Sequence, residues 1–262
     1  MTQLAGDKSA SYLYDEIYRI LNVTSLNKPE AFTFDDAGNR KTGPGPLDTA
    51  YLHNDANQTT TGRKLVYEHD SRGNQKGKSV PGATGKTWTQ AWDNENRLKT
   101  VEKTKTMPDG TERKAVTFTY DPFGRRIGKT VEKTSYDVGT SLYVTKTESY
   151  AYIYDGDDIA LEIYTPPSGP PEKTYYTHGP GIDEPLALER GGNFYYYHAD
   201  GLGSIVKITN AAHATVQSYE YDTFGMGTPA NNTFRNSCTF TGREWDKETG
   251  LYYYRARYYD PI

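Results

Sequence analysis

The stretch AVTFTYDPFG, residues 115–124, carries the reading of the whole chain. From Val116 to Tyr120 it alternates between apolar or aromatic side chains and Thr, the period-two pattern of a strand with one buried face. The stretch then closes on Tyr120-Asp121-Pro122-Phe123-Gly124. Asp favours the first position of a type I turn because its carboxylate accepts nearby backbone N–H groups, and Pro favours the second. A residue at positive φ placed next produces a three-residue hairpin with a bulge, so Gly belongs three places after the Asp. Strand, hairpin turn and returning strand follow from ten residues.

The same frame recurs along the chain. Tyr221-Asp222-Thr223-Phe224-Gly225 is a full copy, while Phe34-Asp35-Asp36-Ala37-Gly38 and His69-Asp70-Ser71-Arg72-Gly73 change the ring. Asp200, after Tyr197-His198-Ala199, is followed at the right distance by Gly203. Trp92-Asp93 leads to Asn96 and Tyr154-Asp155 to Asp158, the two non-Gly types that best tolerate left-handed backbone. Tyr14-Asp15 leads to Tyr18, which does not suit that geometry. Alternating runs such as VQSYEY flank the turns, so the pattern predicts an all-β chain of antiparallel hairpins whose sheet grows by addition. Breaks are expected at 41–50, at 80–86 and at TPPSGPPEK, 165–173, where four Pro in six residues cannot enter a ladder.

Composition agrees with a polar, sheet-rich interior. Leu, Ile, Val and Phe make up only 42 of 262 residues, and 24 Tyr take their place as buriable surface with a polar tip. A net charge of −4, with no dense Lys/Arg block, argues against nucleic acid as the main partner. No apolar run approaches membrane-spanning length, and MTQLAGDKSA lacks the features of a signal peptide. The single Cys238 excludes an internal disulfide and reads as a small buried hydrophobe. The five His show no metal spacing, and the acidic run 155–158 fails as a calcium loop because Pro166 stands where a Glu is needed. GLGSIV, 201–206, lacks the third Gly of a dinucleotide fingerprint. Neither a cofactor nor a metal is expected.

With these residues in view, the chain resembles the Rhs/YD-repeat family, whose repeats centre on the Tyr-Asp turn. Residues 1–150 carry the hairpin repeats, and 151–262 resemble the family's repeat-associated core, continuous with them. Five ordered blocks carry that likeness: YIYDGDDIALE, YYTHGPGIDEPLA, YYYHADGLGSIVKIT, YEYDTFG and FTGREWDKETGLYYYRARYYDP. In the last block Gly242, Arg243, Gly250, Tyr253, Arg255, Arg257, Tyr258 and Tyr259 are the core-motif positions.

The resemblance implies a spiralling β-hairpin shell that encloses another polypeptide, often a toxin encoded at the C-terminal end of the same chain. It implies secretion or delivery from a bacterial cell after a cytoplasmic stage. It also implies that Asp260 belongs to an aspartic-protease-like self-cleaving segment, whose second Asp would lie past Ile262, so this chain reads as truncated before the cleavage motif. The bland reading of Asp260-Pro261 is one more repeat turn, and it is preferred for this chain.

The closing GLYYYRARYYDPI is read as one strand, with Arg255 and Arg257 on a face with Leu251, Tyr253 and Tyr259. The two Arg are expected to stack on Tyr and to pair with Glu244, Asp246 or Glu248. The leading expectation is a non-catalytic shell section whose concave, Tyr-lined face meets polypeptide cargo or the rest of the shell, with self-association through unpaired sheet edges. The alternatives are a self-cleaving core in a longer parent, or a sugar-binding adhesive module that stacks aromatics on glycans.

Overall fold

A computed structural model describes residues 2–5, 8–25, 29–43, 50–81, 85–107 and 110–261. Most of the first expected break, and residues 82–84 of the second, lie outside the described residues. The fold is all-β and antiparallel, and the chain divides into two units, residues 1–83 with 221–226 and residues 84–220 with 227–261.

The first unit holds a meander of β1 (Thr2–Ala5), β2 (Lys8–Tyr14), β3 (Ile20–Ser25) and β4 (Glu30–Ala31). It also holds the consecutive strands β5 (Leu52–His53), β6 (Thr59–Gly62), β7 (Leu65–His69) and β8 (Gln75–Ser79). Val23, Phe32, Tyr51, Leu65 and Tyr67 are buried here, and Phe32 meets Phe224 edge-on at 5.1 Å.

In the second unit the sheet order follows the chain without a crossover. Its strands are β9 (Lys86–Trp92), β10 (Leu98–Met107), β11 (Gly110–Tyr120), β12 (Arg126–Asp137), β13 (Leu142–Asp155), β14 (Asp158–Thr165), β15 (Glu172–His178), β16 (Pro185–Arg190), β17 (Asn193–Ala199), β18 (Ile205–Asn210), β19 (Thr215–Tyr221) and β20 (Gly227–Pro229). The Pro-rich 166–171 segment is the hairpin loop between β14 and β15. A small separate sheet of β21 (Glu244–Asp246), β22 (Leu251–Tyr254) and β23 (Arg257–Tyr259) closes the chain.

The period-two pattern decides which face is buried. Val101, Val116 and Val131 stand directly opposite one another on β10, β11 and β12, and with Leu98, Phe118, Tyr150, Tyr152, Ile159 and Leu251 they form the main core. Burying each such side chain contributes about 1.5–3 kcal/mol. Register slips by one residue beside the turns, between Leu98 and Thr100 and between Thr119 and Tyr120 for example, because the positive-φ residue adds a bulge to the returning strand. The terminal strand β20 is three residues long and ends on Pro229, which cannot donate to another ladder.

Candidate functional site

The Asp turns share one construction. In the Asp121 copy the carboxylate Oδ1 accepts the N–H of Phe123 and of Arg125, both at 2.9 Å, while the Gly124 N–H donates to the Asp121 carbonyl at 3.0 Å. Gly124 sits at φ 85, where a Cβ would be strained. The same carboxylate contacts occur at Asp93, Asp200 and Asp222. Asp35 and Asp70 bond their i+4 amides likewise, at 2.7 and 2.8 Å. Gly38, Gly73, Gly203 and Gly225 lie at φ 80 to 88, and Asn96 at φ 58.

Two expectations about this frame are corrected. Tyr18 adopts φ 64, and Asp15 Oδ1 accepts from Ile17 and Arg19, so the least regular copy is a complete turn. Asp155 does not start the turn: it pairs with Asp158 across a two-residue loop in which Gly156 takes φ 60. Glycine immediately after the Asp supplies positive φ two positions early, and the chain reverses there. Two further copies begin on Asn. Asn54 and Asn210 accept the same i+2 and i+4 amides, with Asn57 and His213 at φ 57 and 61. The signal was present, since an Asn side-chain carbonyl accepts as a carboxylate oxygen does.

The residue four after the Asp is the element that sequence reading missed. Arg19, Arg97 and Arg125 each direct Nε to the Asp Oδ2 of their own turn, at 2.6, 2.7 and 2.8 Å. Each then reaches a backbone carbonyl of a later turn: Arg19 to Asp35, Arg97 to Asp121 and Arg125 to Gly156. The guanidinium also lies over the ring just before that later turn, Phe34 at 4.9 Å, Tyr120 at 5.1 Å and Tyr154 at 5.3 Å. At these three links the ring before the later turn receives the cation of the earlier copy. Asn39 and Asn74 bond their own Asp but are neutral. These amides are the largest influence holding Asp35 and Asp70 below the usual carboxylate range. At Asp93 and Asp121 partial burial pushes the other way, and the contacts from Arg97 and Arg125 outweigh it.

The second assembly lies in the second unit, where the chain covers its own tyrosine face. Residues 234–258 run over it: Phe234 meets Tyr195 at 5.1 Å, Arg235 stacks on Tyr164 at 4.2 Å, and Asn236 Oδ1 accepts from the Tyr197 hydroxyl at 2.7 Å. Farther on, the hydroxyls of Tyr258 and Tyr120 bond at 2.9 Å. The Tyr195, Tyr164, Tyr197 and Tyr120 side chains of the face expected to meet a partner are therefore engaged by the chain's own C-terminal part. Tyr tips need hydrogen-bond partners when buried: Asn236 supplies that of Tyr197, while Tyr154 and Tyr164 donate to the Arg126 carbonyl and the Glu148 carboxylate of the sheet itself.

Beneath the cover lies a charged cluster. Asp246 pairs with Arg126 and, at 2.9 Å, with Lys129 Nζ, which also bonds Glu248 at 3.0 Å. All four are buried. Burial disfavours the Lys129 ammonium, but Asp246 and Glu248 more than offset it and hold its pKa well above the ordinary value. Burial likewise opposes the Glu248 carboxylate, yet Lys129 brings its pKa down to about 2. The Arg126 guanidinium lies 4.3 Å over the Tyr253 ring, and its backbone N–H donates to the Tyr253 hydroxyl at 3.0 Å.

The C-terminal core-motif positions are divided among several tasks. Residues 251–259 form a hairpin and not the single strand expected, since Tyr253 pairs with Tyr258 and Arg255 turns at φ 54. The alternating Tyr conceal the reversal, because a two-residue turn keeps both arms in period two. Arg255 pairs with Asp183 at 2.8 Å and Asp158 at 3.5 Å, and Arg243 also pairs with Asp183, so Glu244, Asp246 and Glu248 are not the partners of Arg255. Arg257 is exposed, whereas Tyr259 is half-buried with its ring against Tyr252 and Tyr254. Gly242 and Gly250 turn at φ 72 and 74, and a Cβ on Gly242 would collide with the Asp183 carbonyl. Asp260 is half-buried just past β23. Burial pushes the Cys238 thiol up. Among the described residues, no three His, Cys, Asp or Glu are placed to hold a metal ion.

No protein-family model matches the chain. It is 31% identical over 238 residues to the tRNA3(Ser)-specific nuclease WapA of Bacillus spizizenii, covering 88% of this chain and 9% of that protein. It is 28% identical over 213 residues to the probable deoxyribonuclease RhsB of Dickeya dadantii, covering 74% and 13%. Its relatives are Rhs-type proteins. Among solved structures, the crystal structure of TcdB2-TccC3-TEV matches 97% of this chain and 16% of its own, with a TM-score of 0.50 at 16% identity, a likeness of fold alone. The chain spans about a tenth of the length of the Rhs-type relatives it matches.

Proposed function

We propose that the chain is a length of non-catalytic β-wall that encloses or presents another polypeptide, a C-terminal toxin of the longer protein. The observation that carries this reading is the Arg ladder, in which Arg97 and Arg125 each grip the Asp of their own turn and a later turn. Such contacts extend a wall by addition and need no central site. The ionisable groups under residues 234–258 are spent on one another, which suits a cover more than a catalyst. The relatives carry nuclease names while this region makes up about a tenth of their length, which is consistent with the named activities lying elsewhere in those proteins.

In this reading residues 1–150 are repeat hairpins and 151–262 the core-like closure. The protein is made in the bacterial cytoplasm and delivered outward, and self-cleavage involving Asp260 belongs to a longer parent. Limited proteolysis of that parent tests the proposal. The toxin region should resist protease while the wall is folded and become sensitive when Asp246→Asn loosens the cover. A toxin region digested equally fast in both proteins overturns it.

A further inference from the structure

The first unit holds one repeat turn in a site built around it. Residues 221–226 belong to that unit, and the residues that grip them stand 159 to 193 positions earlier in the chain. Glu30, 5% exposed, accepts the Thr223 N–H at 3.1 Å and the Thr223 hydroxyl on the same oxygen. The Arg40 guanidinium stacks over two rings, Tyr51 and Phe224, at 4.3 Å each, and buried Phe32 meets the same Phe224 ring edge-on. Arg63 reaches the Asp222 Oδ2 at 3.5 Å.

Unit one departs from easy geometry to make these contacts. Arg63 and Lys64 sit at φ 49 and 60 between β6 and β7, where a two-residue hairpin turn favours Asn and Gly. Strain of this kind persists where the surrounding structure makes use of it, and here it presents Arg63 to Asp222. Gly62 leaves room for the Tyr51 ring, which a Cβ there would strike.

The contacts also discriminate between copies of the turn. Where the ladder Arg holds the Oδ2 of its own Asp, the Asp222 copy has Met226, and Arg63 takes that place from elsewhere in the unit. The Asp121 turn has Pro122 at the position of Thr223, with no N–H to offer Glu30, and its Phe123 is 86% exposed. The Asp70 turn has a hydroxyl there, on Ser71, but Arg72 where the ring belongs. Among the Asp and Asn turns, only the Asp222 copy carries a hydroxyl and a ring at these two places.

We propose that Glu30, Phe32, Arg40, Tyr51 and Arg63 form a selective docking site for an Asp-Thr-Phe-Gly turn. The chain's own turn fills it, and a separate polypeptide bearing the same turn can take its place once that turn is withdrawn. The ligand is a preformed β-turn with a carboxylate first, an N–H and a hydroxyl second, and an aromatic ring third. The Arg ladder joins one turn to a later one, whereas this site joins stretches far apart in sequence, whatever the wall encloses.

The test uses the full chain carrying Thr223→Pro. Pro suits the second position of a type I turn, so the hairpin persists while both donors to Glu30 are lost. The probe is a fluorescent, head-to-tail cyclised peptide of residues 218–230, whose ends meet in the fold, where the Ala230 N–H donates to the Ser218 carbonyl at 2.9 Å. By anisotropy, the variant should bind it about tenfold or more tightly than wild type, whose own turn occupies the site. That is the size expected from a hydrogen bond to a charged acceptor. The same peptide carrying Thr223→Pro should bind the variant about tenfold more weakly, and adding Glu30→Ala to the variant should erase the difference between the two peptides. Bound peptide should also raise the variant's thermal midpoint. If Thr223→Pro does not fold, Phe224→Ala is titrated with the same two peptides and the same expectations. No binding, equal binding by wild type and variant, or equal binding of the two peptides overturns the proposal. Protease protection of the parent's toxin region is read separately, so the docking site can fall while the wall reading stands, and the reverse.

Discussion

Replacing Glu248 by Gln removes one charge from the buried cluster and leaves its shape almost unchanged. The side chain is 1% exposed and accepts from Lys129 Nζ at 3.0 Å. Burial alone would raise its pKa, but Lys129 brings it from an ordinary 4.5 down to about 2. A carboxyl lower in the folded state than in the unfolded one adds stability that is fully present above the unfolded value. That stability is lost as pH falls through the folded value. The gap between 4.5 and about 2 corresponds to roughly 3 kcal/mol at neutral pH. This falls within the roughly 3–5 kcal/mol known for breaking one partner of a buried pair. Glu248→Gln should therefore lower the urea midpoint by about 1–3 M, for a slope of about 1–3 kcal/mol per M. Unfolding is followed by tryptophan emission at neutral pH and at steps below 4.5. The difference between variant and wild type should shrink through that acid window, as the wild-type carboxyl itself takes a proton. A difference under about 1 kcal/mol at neutral pH, or one that stays constant on acidification, refutes the assignment.

Gly124→Ala meets no neighbour within 4 Å but holds φ 85, so backbone strain alone should cost about 1 kcal/mol, and an unchanged thermal midpoint would contradict that. Arg97→Ala should speed amide hydrogen exchange at Glu95 and Arg97 and also at the Asp121 turn, leaving the Asp200 turn unaffected. Acceleration confined to its own turn would show that the reach to the Asp121 carbonyl has no weight. Cys238 should stay unlabelled by thiol reagents in the native protein and react on denaturation, because burial both hides it and raises its pKa, and rapid native labelling would refute this.

The turns were legible because their signal is local. Asp and the Gly three residues later state both the carboxylate acceptor and the positive φ within one short window. Tyr18 and the Asn54 and Asn210 copies escaped because residue type was weighed more than position: ladder contacts on both sides hold Tyr18 where Gly would sit more easily. Asp155 misled for the opposite reason, with Gly156 offering a nearer place to reverse. Residues 251–259 were misread since a tight hairpin preserves alternation on both arms. The charged cluster was beyond any local window, because Asp246 meets Arg126 across 120 residues of chain.

The Arg ladder gives the sheet a direction. Arg97 and Arg125 each offer a guanidinium to a later turn, and the ring before that turn takes it. A copy that carries this Arg therefore has a giving side and a receiving side, like a brick with a tenon and a mortise. Duplicating a whole copy creates a matched joint at both ends without altering its neighbours, whereas half a copy leaves a tenon with nothing to enter. Copies that carry Asn39 or Asn74 in place of the Arg lack the tenon, so the matched joints run only where an Arg stands four residues after the Asp.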